Sequence, residues 1–336
     1  MPSTEVRELE EKEFDLWDRL VEASSFGTVF HKNYWLTTIG KSLDKEIKFF
    51  GYFEDADLIS GCPLYVFKMG FLNIASSTIK MTPYAGILFK EPTTSKVRKQ
   101  ERAYENVINS LRCAIEKENF DYIRITNSPS FVDIRPFTWS GWESEVRYEY
   151  HLNLKIDIKK HFSKNARYLI RKAIKNKITY EKLDNLDLVK YYELFSMTYK
   201  RQNLKPPVTH NFFENIFHCL EKKGIGEMWI AKAPNGDIAT IEIIVVDNKQ
   251  AHCWSSANHT HYRKTGSNAL LLYEISKDLT RRGFKELNLT TANTSHLAYY
   301  WTNFNPELVP YYCVVKKNIA AKIGERIYKK MKGAKY

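Results

Sequence analysis

The sequence predicts a mixed α/β (α+β) fold of two domains, each a mixed, mostly antiparallel sheet flanked by helices. Three observations carry this expectation. The stretch from Met228 to Phe304 reads strand, turn, strand, strand, polar loop, helix, strand. The first half of the chain gives strands, helix, strand in a similar order, with no residue-level repeat. And 336 residues, 43% hydrophobic and 14% aromatic, suffice to fill two cores. The expected domains are residues 1–150 and 151–336.

Taken in order, residues 1–25 read as an acidic amphipathic helix built around Phe14, Trp17, Leu20 and Val21. FGTVFHKNYWLTTIGKSL is a loop feeding a short helix with Tyr34 and Trp35. Two alternating strands, EIKFFGYFED and LISGCPLYVFKMG, meet at Asp55-Ala56-Asp57. A turn follows at Thr82-Pro83-Tyr84-Ala85-Gly86. Ala103, Val107, Leu111 and Ile115 recur at helical spacing from about Lys96 to Lys117, ahead of the strand DYIRIT. An irregular aromatic stretch ends in the strand YEYHLNL.

Lys159 to Lys177 is a basic helix, and two more helices, LDLVKYYELFSMTYKRQNL and THNFFENIFHCLEKK, flank Lys205-Pro206-Pro207. Strands MWIAKA, IATIEIIVV and AHCWSSA are joined at Pro234-Asn235-Gly236-Asp237 and Asp247-Asn248-Lys249-Gln250. The helix ALLLYEISKDLTRR ends at Gly283, and KELNLTT is the next strand. The tail is a strand end and a basic helix.

Net charge is +12 and the pI about 9.2, which points to an anionic partner: nucleic acid, phosphorylated substrate or anionic lipid. The five cysteines are widely spaced and form no CxxC, against a disulfide framework or zinc cluster and for a reducing compartment. The acidic N-terminus lacks the apolar core of a signal peptide, and no apolar run reaches the ~20 residues of a membrane span. The expected location is cytoplasmic, with peripheral contact at the inner membrane face open.

Several groups of residues carry candidate chemistry. Arg263, Lys264, Gly266, Ser267 and Asn268 open a helix, where amide groups and two cations can cradle a pyrophosphate; an ordinary Ser/Asn-capped helix start fits as well. Lys164, Arg167, Arg171 and Lys175 line one helix face, suited to phosphates or merely solvated. Glu242 is a carboxylate inside an apolar strand, which reaches either a cleft or a buried partner. Burial would raise its pKa toward that of a general base.

His252, His259 and His261 are candidate proton shuttles, His252 foremost; no carboxylate or cysteine joins them at ligand spacing, so no metal is expected. Trp35, Tyr84 and the Pro-Tyr-Ala-Gly turn read as the rigid wall of an acceptor pocket or as core. Arg147 is a candidate anion contact. The tail sets Ile319, Ile323 and Ile327 on one face among lysines, a pattern for an anionic membrane surface or, preferred here, for a helix docked on the second domain.

RYLIRKAIKN, YKRQN, the pair IEIIVV and AHCWSSA, and ALLLYEISKDLTRRGFKELNL stand in the order found in one family, preceded by DIRPFTWSGWESEVRYEYHLNL. Over roughly residues 27–315 the chain resembles the Fem-type branch (FemAB-like, CelD/BioF2-like) of the GNAT acyltransferases. The resemblance implies two GNAT-like domains and transfer of an acyl group from acyl-CoA, or an aminoacyl group from charged tRNA, to an amine. The implied acceptor is an anionic small molecule or lipid-linked precursor: a sugar-nucleotide, a lipid-linked glycan or a cell-envelope intermediate.

Under this implication Glu242 is the base, the Arg263–Asn268 loop holds the donor, and Arg167, Arg171 and Tyr84 lie near the acceptor, between the domains. Arg201 matches a contact position of relatives. Where the Fem pattern reads Phe-Lys-x-x-Phe-Gly, this chain reads Tyr300-Trp301-Thr302-Asn303-Phe304-Asn305, so Trp301 replaces the lysine tied to catalysis. A non-catalytic RNA- or membrane-binding relative is the rival class; no RNA-binding signature is present and no DNA partner is expected.

Overall fold

The computed structural model describes residues 3–333 apart from 92, 93, 202, 248, 249 and 291. The chain divides into two compact units, the first formed by residues up to Arg147 and from Tyr311 onward, the second by Tyr148–Pro310.

The first unit begins with β1 (Thr4–Glu8), α1 (Phe14–Ala23), α2 (Asn33–Ser42), β2 (Glu46–Glu54), β3 (Asp57–Met69) and β4 (Leu72–Ser76). Then come β5 (Leu88–Phe89), α3 (Val97–Lys117), β6 (Tyr122–Thr126), α4 (Arg135–Thr138) and the start of β7 (Glu143–Asn153). The single helix expected over residues 1–25 is instead a strand and a shorter helix. Residues 4–8 pair antiparallel with β2, Thr4 opposite Glu54, and Arg7 lies over the Phe53 ring while its guanidinium reaches Glu13 at 2.6 Å. A long-range ladder on a charged edge strand overrides local helix periodicity here. α3 follows its apolar spacing, burying Val107, Ile108, Leu111 and Ile115 against Phe50, Leu64 and Ile125.

In the second unit α5 (Ile158–His161), α6 (Lys164–Lys175), β8 (Thr179–Leu183), α7 (Leu188–Lys200) and α8 (His210–Lys223) precede β9 (Gly226–Lys232), β10 (Ile238–Val246) and β11 (Ala251–Asn258). α9 (Ser267–Arg281), β12 (Glu286–Asn288) and α10 (Ser295–Trp301) follow. Side chains of Ser163, Asp187 and Thr209 cap α6, α7 and α8, satisfying amides that a helix start leaves open. Gly283, at φ +86°, ends α9 as its sequence position implied. The connection at Asn248 and Lys249 lies outside the described residues.

β13 (Glu307–Lys317) and α11 (Ile319–Gly333) complete the chain. Sequence order placed them in the second domain, but from Tyr311 they belong to the first unit, because Cys313–Lys317 pair antiparallel with β6 and Val314 enters that unit's core.

The strand order is β1-β2-β3-β4-β6-β13 in the first unit and β7-β12-β11-β10-β9-β8 in the second. Among the pairings described, each unit has one parallel pair, β4 with β6 and β11 with β12. Both parallel pairs are bridged by a crossover carrying a long helix, α3 or α9, as parallel neighbours require. The repeated strand, helix, strand order in the sequence is this repeated crossover.

Candidate functional site

The second unit has its main core where α6 and α9 cover one face of the sheet. Gly266 sits at the α9 N-terminus with φ +89°, and a Cβ added there would lie 2.2 Å from the Leu169 carbonyl oxygen of α6. Glycine is therefore required twice, for a left-handed backbone and for close approach of the two helices. Ser267 and Asn268 do not cap the helix. Their side chains meet Thr240 on β10, whose Oγ1 lies 2.8 Å from Ser267 Oγ and 2.7 Å from Asn268 Oδ1. This ties the helix opening to the middle of the sheet. Arg263 and Lys264 stay exposed just before it and form no ion pair among the described residues.

Glu242 is two residues beyond Thr240 and so shares its face of β10. The β10–β11 ladder is irregular at this point: Ile243 pairs with Ser255, whereas Ile244 pairs with Cys253, so Trp254 is the extra residue. Without that bulge, Cys253 and Ser256 would face opposite sides; with it, both face Glu242. Burial is the main influence on the carboxyl and pushes its pKa up to about 8, with hydrogen bonds from Cys253 and Ser256 opposing. Glu242 forms no ion pair among the described residues, so nothing of opposite charge offsets the burial of its carboxyl, while the residue as a whole is only half-buried.

Two phenols feel its charge. Burial, then the Glu242 carboxylate, holds Tyr300 of α10 in its neutral form. Tyr191 of α7 is also kept neutral by burial and shares a 2.5 Å hydrogen bond with Ser255. Trp301 packs 5.2 Å from Tyr300 and 5.9 Å from Phe304, ring to ring, and its indole Nε1 is buried without a hydrogen-bond partner among the described residues. Trp301 is thus part of an aromatic cluster with Tyr300 and Phe304.

The other sequence candidates fall elsewhere. His252 is fully buried, and burial and the nearby His151 charge depress its pKa to about 3. It pairs in register with Asn288, itself opposite His151, so it joins a buried polar row rather than the donor loop. The His259 and His261 rings lie 5.3 Å apart, tilted by 36°, and no metal-holding group occurs among the described residues. Arg167 turns its Nη1 inward to the carbonyls of Lys160 (3.1 Å) and Phe162 (2.6 Å), closing the α5–α6 turn, whereas Lys164, Arg171 and Lys175 project to solvent without ion pairs among the described residues. Arg201 is exposed at the end of α7.

Trp35 and Tyr84 are core residues of the first unit rather than a pocket wall. Trp35 donates to Thr82 Oγ1 at 3.1 Å, and Tyr84 lies among Phe30, His31 and Tyr311. Arg147 pairs loosely with Glu145 at 3.8 Å. The first unit also has a cleft of about 810 Å³ near Glu10, Lys41 and Lys45, but it contains none of these candidates.

Sequence reasoning missed one constellation. His151 Nε2 lies 2.5 Å from Glu149 and its Nδ1 2.6 Å from Glu286, while Asn288 donates to Glu149 at 2.8 Å. The two carboxylates outweigh burial and raise the imidazole pKa to about 9. In YEYHLNL the i, i+2 spacing of Glu149 and His151 puts them on one strand face, which is the available signal.

Residues 160–301 match the family model described as an acetyltransferase (GNAT) domain. No curated protein matches the chain. Among solved structures, FemX is similar with a TM-score of 0.68 at 12% identity, over 92% of this chain and 96% of that one. L-PGS from Bacillus licheniformis is similar with a TM-score of 0.59 at 12% identity, over 96% and 97%. A tandem GNAT protein from the clavulanic acid pathway is similar with a TM-score of 0.53 at 10% identity, over 94% and 98%. Residues 160–301 are thus similar to a GNAT acetyltransferase domain, in a chain whose fold is similar to that of FemX.

Proposed function

We propose that the protein is an N-acyltransferase that moves an acyl group from acyl-CoA to an amine on a sugar-nucleotide, lipid-linked glycan or cell-envelope precursor. The observation that carries this reading is Glu242: a carboxyl whose burial pushes its pKa up to about 8, on the same strand face as the Thr240–Ser267–Asn268 junction at the start of α9. Arg263 and Lys264, exposed beside that helix N-terminus, fit the donor's phosphates. Gly266 supports the site indirectly, by seating α9 on α6.

In the reaction, the acceptor nitrogen attacks the thioester carbonyl carbon. The N–C bond forms, the C–S bond breaks, and Glu242 takes the proton lost by nitrogen. The sulfur leaves as a thiolate and is protonated from water. Holding the amine beside the thioester contributes most of the rate, and the base adds roughly 10²–10⁴-fold. The exposed stripe Lys164, Arg171 and Lys175 on α6 gives an anionic acceptor a place to bind. This reading places the protein in the cytoplasm.

The same stripe favours a second reading in which charged tRNA is the donor, since unpaired cations along one helix suit a phosphate backbone. FemX and L-PGS share the fold. Native mass spectrometry against an acyl-CoA panel, with tRNA binding at physiological salt, separates the two. Acyl-CoA adducts of 1:1 stoichiometry, lost in Arg263→Ala/Lys264→Ala, support the thioester donor. Charged tRNA bound more tightly than uncharged, with no CoA adduct, transfers the assignment to the aminoacyl reaction. Binding of neither overturns both and leaves the non-catalytic class.

A further inference from the structure

The first unit presents large apolar side chains to solvent at one end. Phe71, 75% exposed, and Met69 stand at the tip of the β3–β4 hairpin, and Ile319, 78% exposed, Ile323 and Ile327 line the outer side of α11. The two groups are held together by Asp121. Its Oδ2 accepts from the Asn73 backbone at 2.7 Å and its Oδ1 from Asn318 Nδ2 at 2.6 Å, fixing the hairpin tip against the residue that opens α11. Further along, Leu72 lies against Gly324 and Ala321 is buried, so the inner face of α11 is seated on the unit. At 100° per residue, Ile319 and Ile323 fall on the side away from those contacts and Ile327 at its edge.

The charge around this apolar strip is mainly positive. Among the described side chains α11 carries Lys322, Arg326 and Lys330 against one acid, Glu325, which is paired with Lys317 at 2.9 Å. Lys322, Arg326 and Lys330 are exposed beside the isoleucines, and Lys68 is exposed beside Met69. An apolar stripe bordered by cations, on a helix docked by its opposite face, matches the interface of an anionic bilayer: side chains enter the acyl boundary and the ammonium groups remain at headgroup level. No helix among the described residues is long and apolar enough to cross a membrane, so contact through this strip is peripheral.

We infer that the hairpin tip Met69–Phe71 and the outer face of α11 form a docking surface for anionic phospholipid. This goes beyond the transferase reading and stands or falls without it.

The test is co-sedimentation of the full chain with vesicles of phosphatidylcholine containing 30% phosphatidylglycerol, and with phosphatidylcholine alone. The expected result is binding to the anionic vesicles only, reduced by 0.5 M salt. Phe71→Ser/Ile323→Ser/Ile327→Ser should weaken it at least tenfold. Lys322→Gln/Arg326→Gln/Lys330→Gln should weaken it about fivefold per charge removed. All six side chains are exposed, so thermal unfolding should be unchanged in both variants. Absence of vesicle binding, undiminished binding by either variant, or equal binding to neutral vesicles overturns the inference. So does a dimer that the triple serine variant abolishes in the absence of vesicle binding, which assigns the strip to a second copy of the chain.

Discussion

Replacing Glu242 by glutamine tests the central claim by a route independent of substrate identity. The folded carboxyl titrates at about 8 against an ordinary value of 4.5. A group whose folded pKa is raised contributes stability that is fully present below its unfolded pKa and is lost as pH rises through the folded one. At about 1.4 kcal/mol per pH unit, the loss reaches about 3 kcal/mol at pH 7 and levels off near 5 kcal/mol above pH 8, as an upper bound that partial exposure reduces. Glu242→Gln keeps the shape and cannot ionise, so this pH dependence disappears. The melting temperature of the variant should therefore gain on that of the wild type by about 5 °C or more between pH 5 and pH 9, measured by calorimetry in matched buffers. In activity assays the wild-type profile should rise with an apparent pKa near 8, and the variant should lose about 10²–10⁴-fold at pH 8. A melting-temperature gap that stays constant from pH 5 to pH 9 would refute the argument from burial, and with it the case for Glu242 as a base.

Three further outcomes follow from other contacts. Gly266→Ala meets both a φ of +89° and the Leu169 carbonyl, and should cost at least about 2 kcal/mol, read as a lowered urea midpoint; an unchanged midpoint would show that α9 does not need this approach to α6. His151→Ala leaves Glu149 buried among Asn288 and strand backbone and should destabilise by about 3–5 kcal/mol, while Glu149→Gln/His151→Ala should cost less than the two single changes together. Additive losses in that cycle would mean that the pair is not coupled. Arg263→Ala/Lys264→Ala should leave the melting temperature within about 1 °C and weaken acyl-CoA binding at least tenfold by calorimetric titration, since both side chains are exposed; unchanged affinity would remove them from the donor site.

What the sequence determined by itself is what depends on neighbours a few residues away. The apolar spacing in α3, the Gly283 helix end and the alternation that isolates Glu242 in β10 are all local, and all appear in the structure. The repeated strand, helix, strand order was likewise readable, because a parallel pair must be bridged by a long connection.

Tertiary structure decided whatever depends on which strands pair. Residues 4–8 became a strand because β2 offered an edge, and β13 joined the first unit because β6 did. The extra residue at Trp254 turned Cys253 toward Glu242, and the β11–β12–β7 register drew His252 into a buried row with Asn288 and His151. Arg167 was taken by the carbonyls of its own turn while Arg171, one helical turn later, stayed free for solvent. Periodicity in the sequence says which face of an element a side chain occupies; only the pairing of distant segments says what that face meets, because ladder register is set by contacts many residues apart.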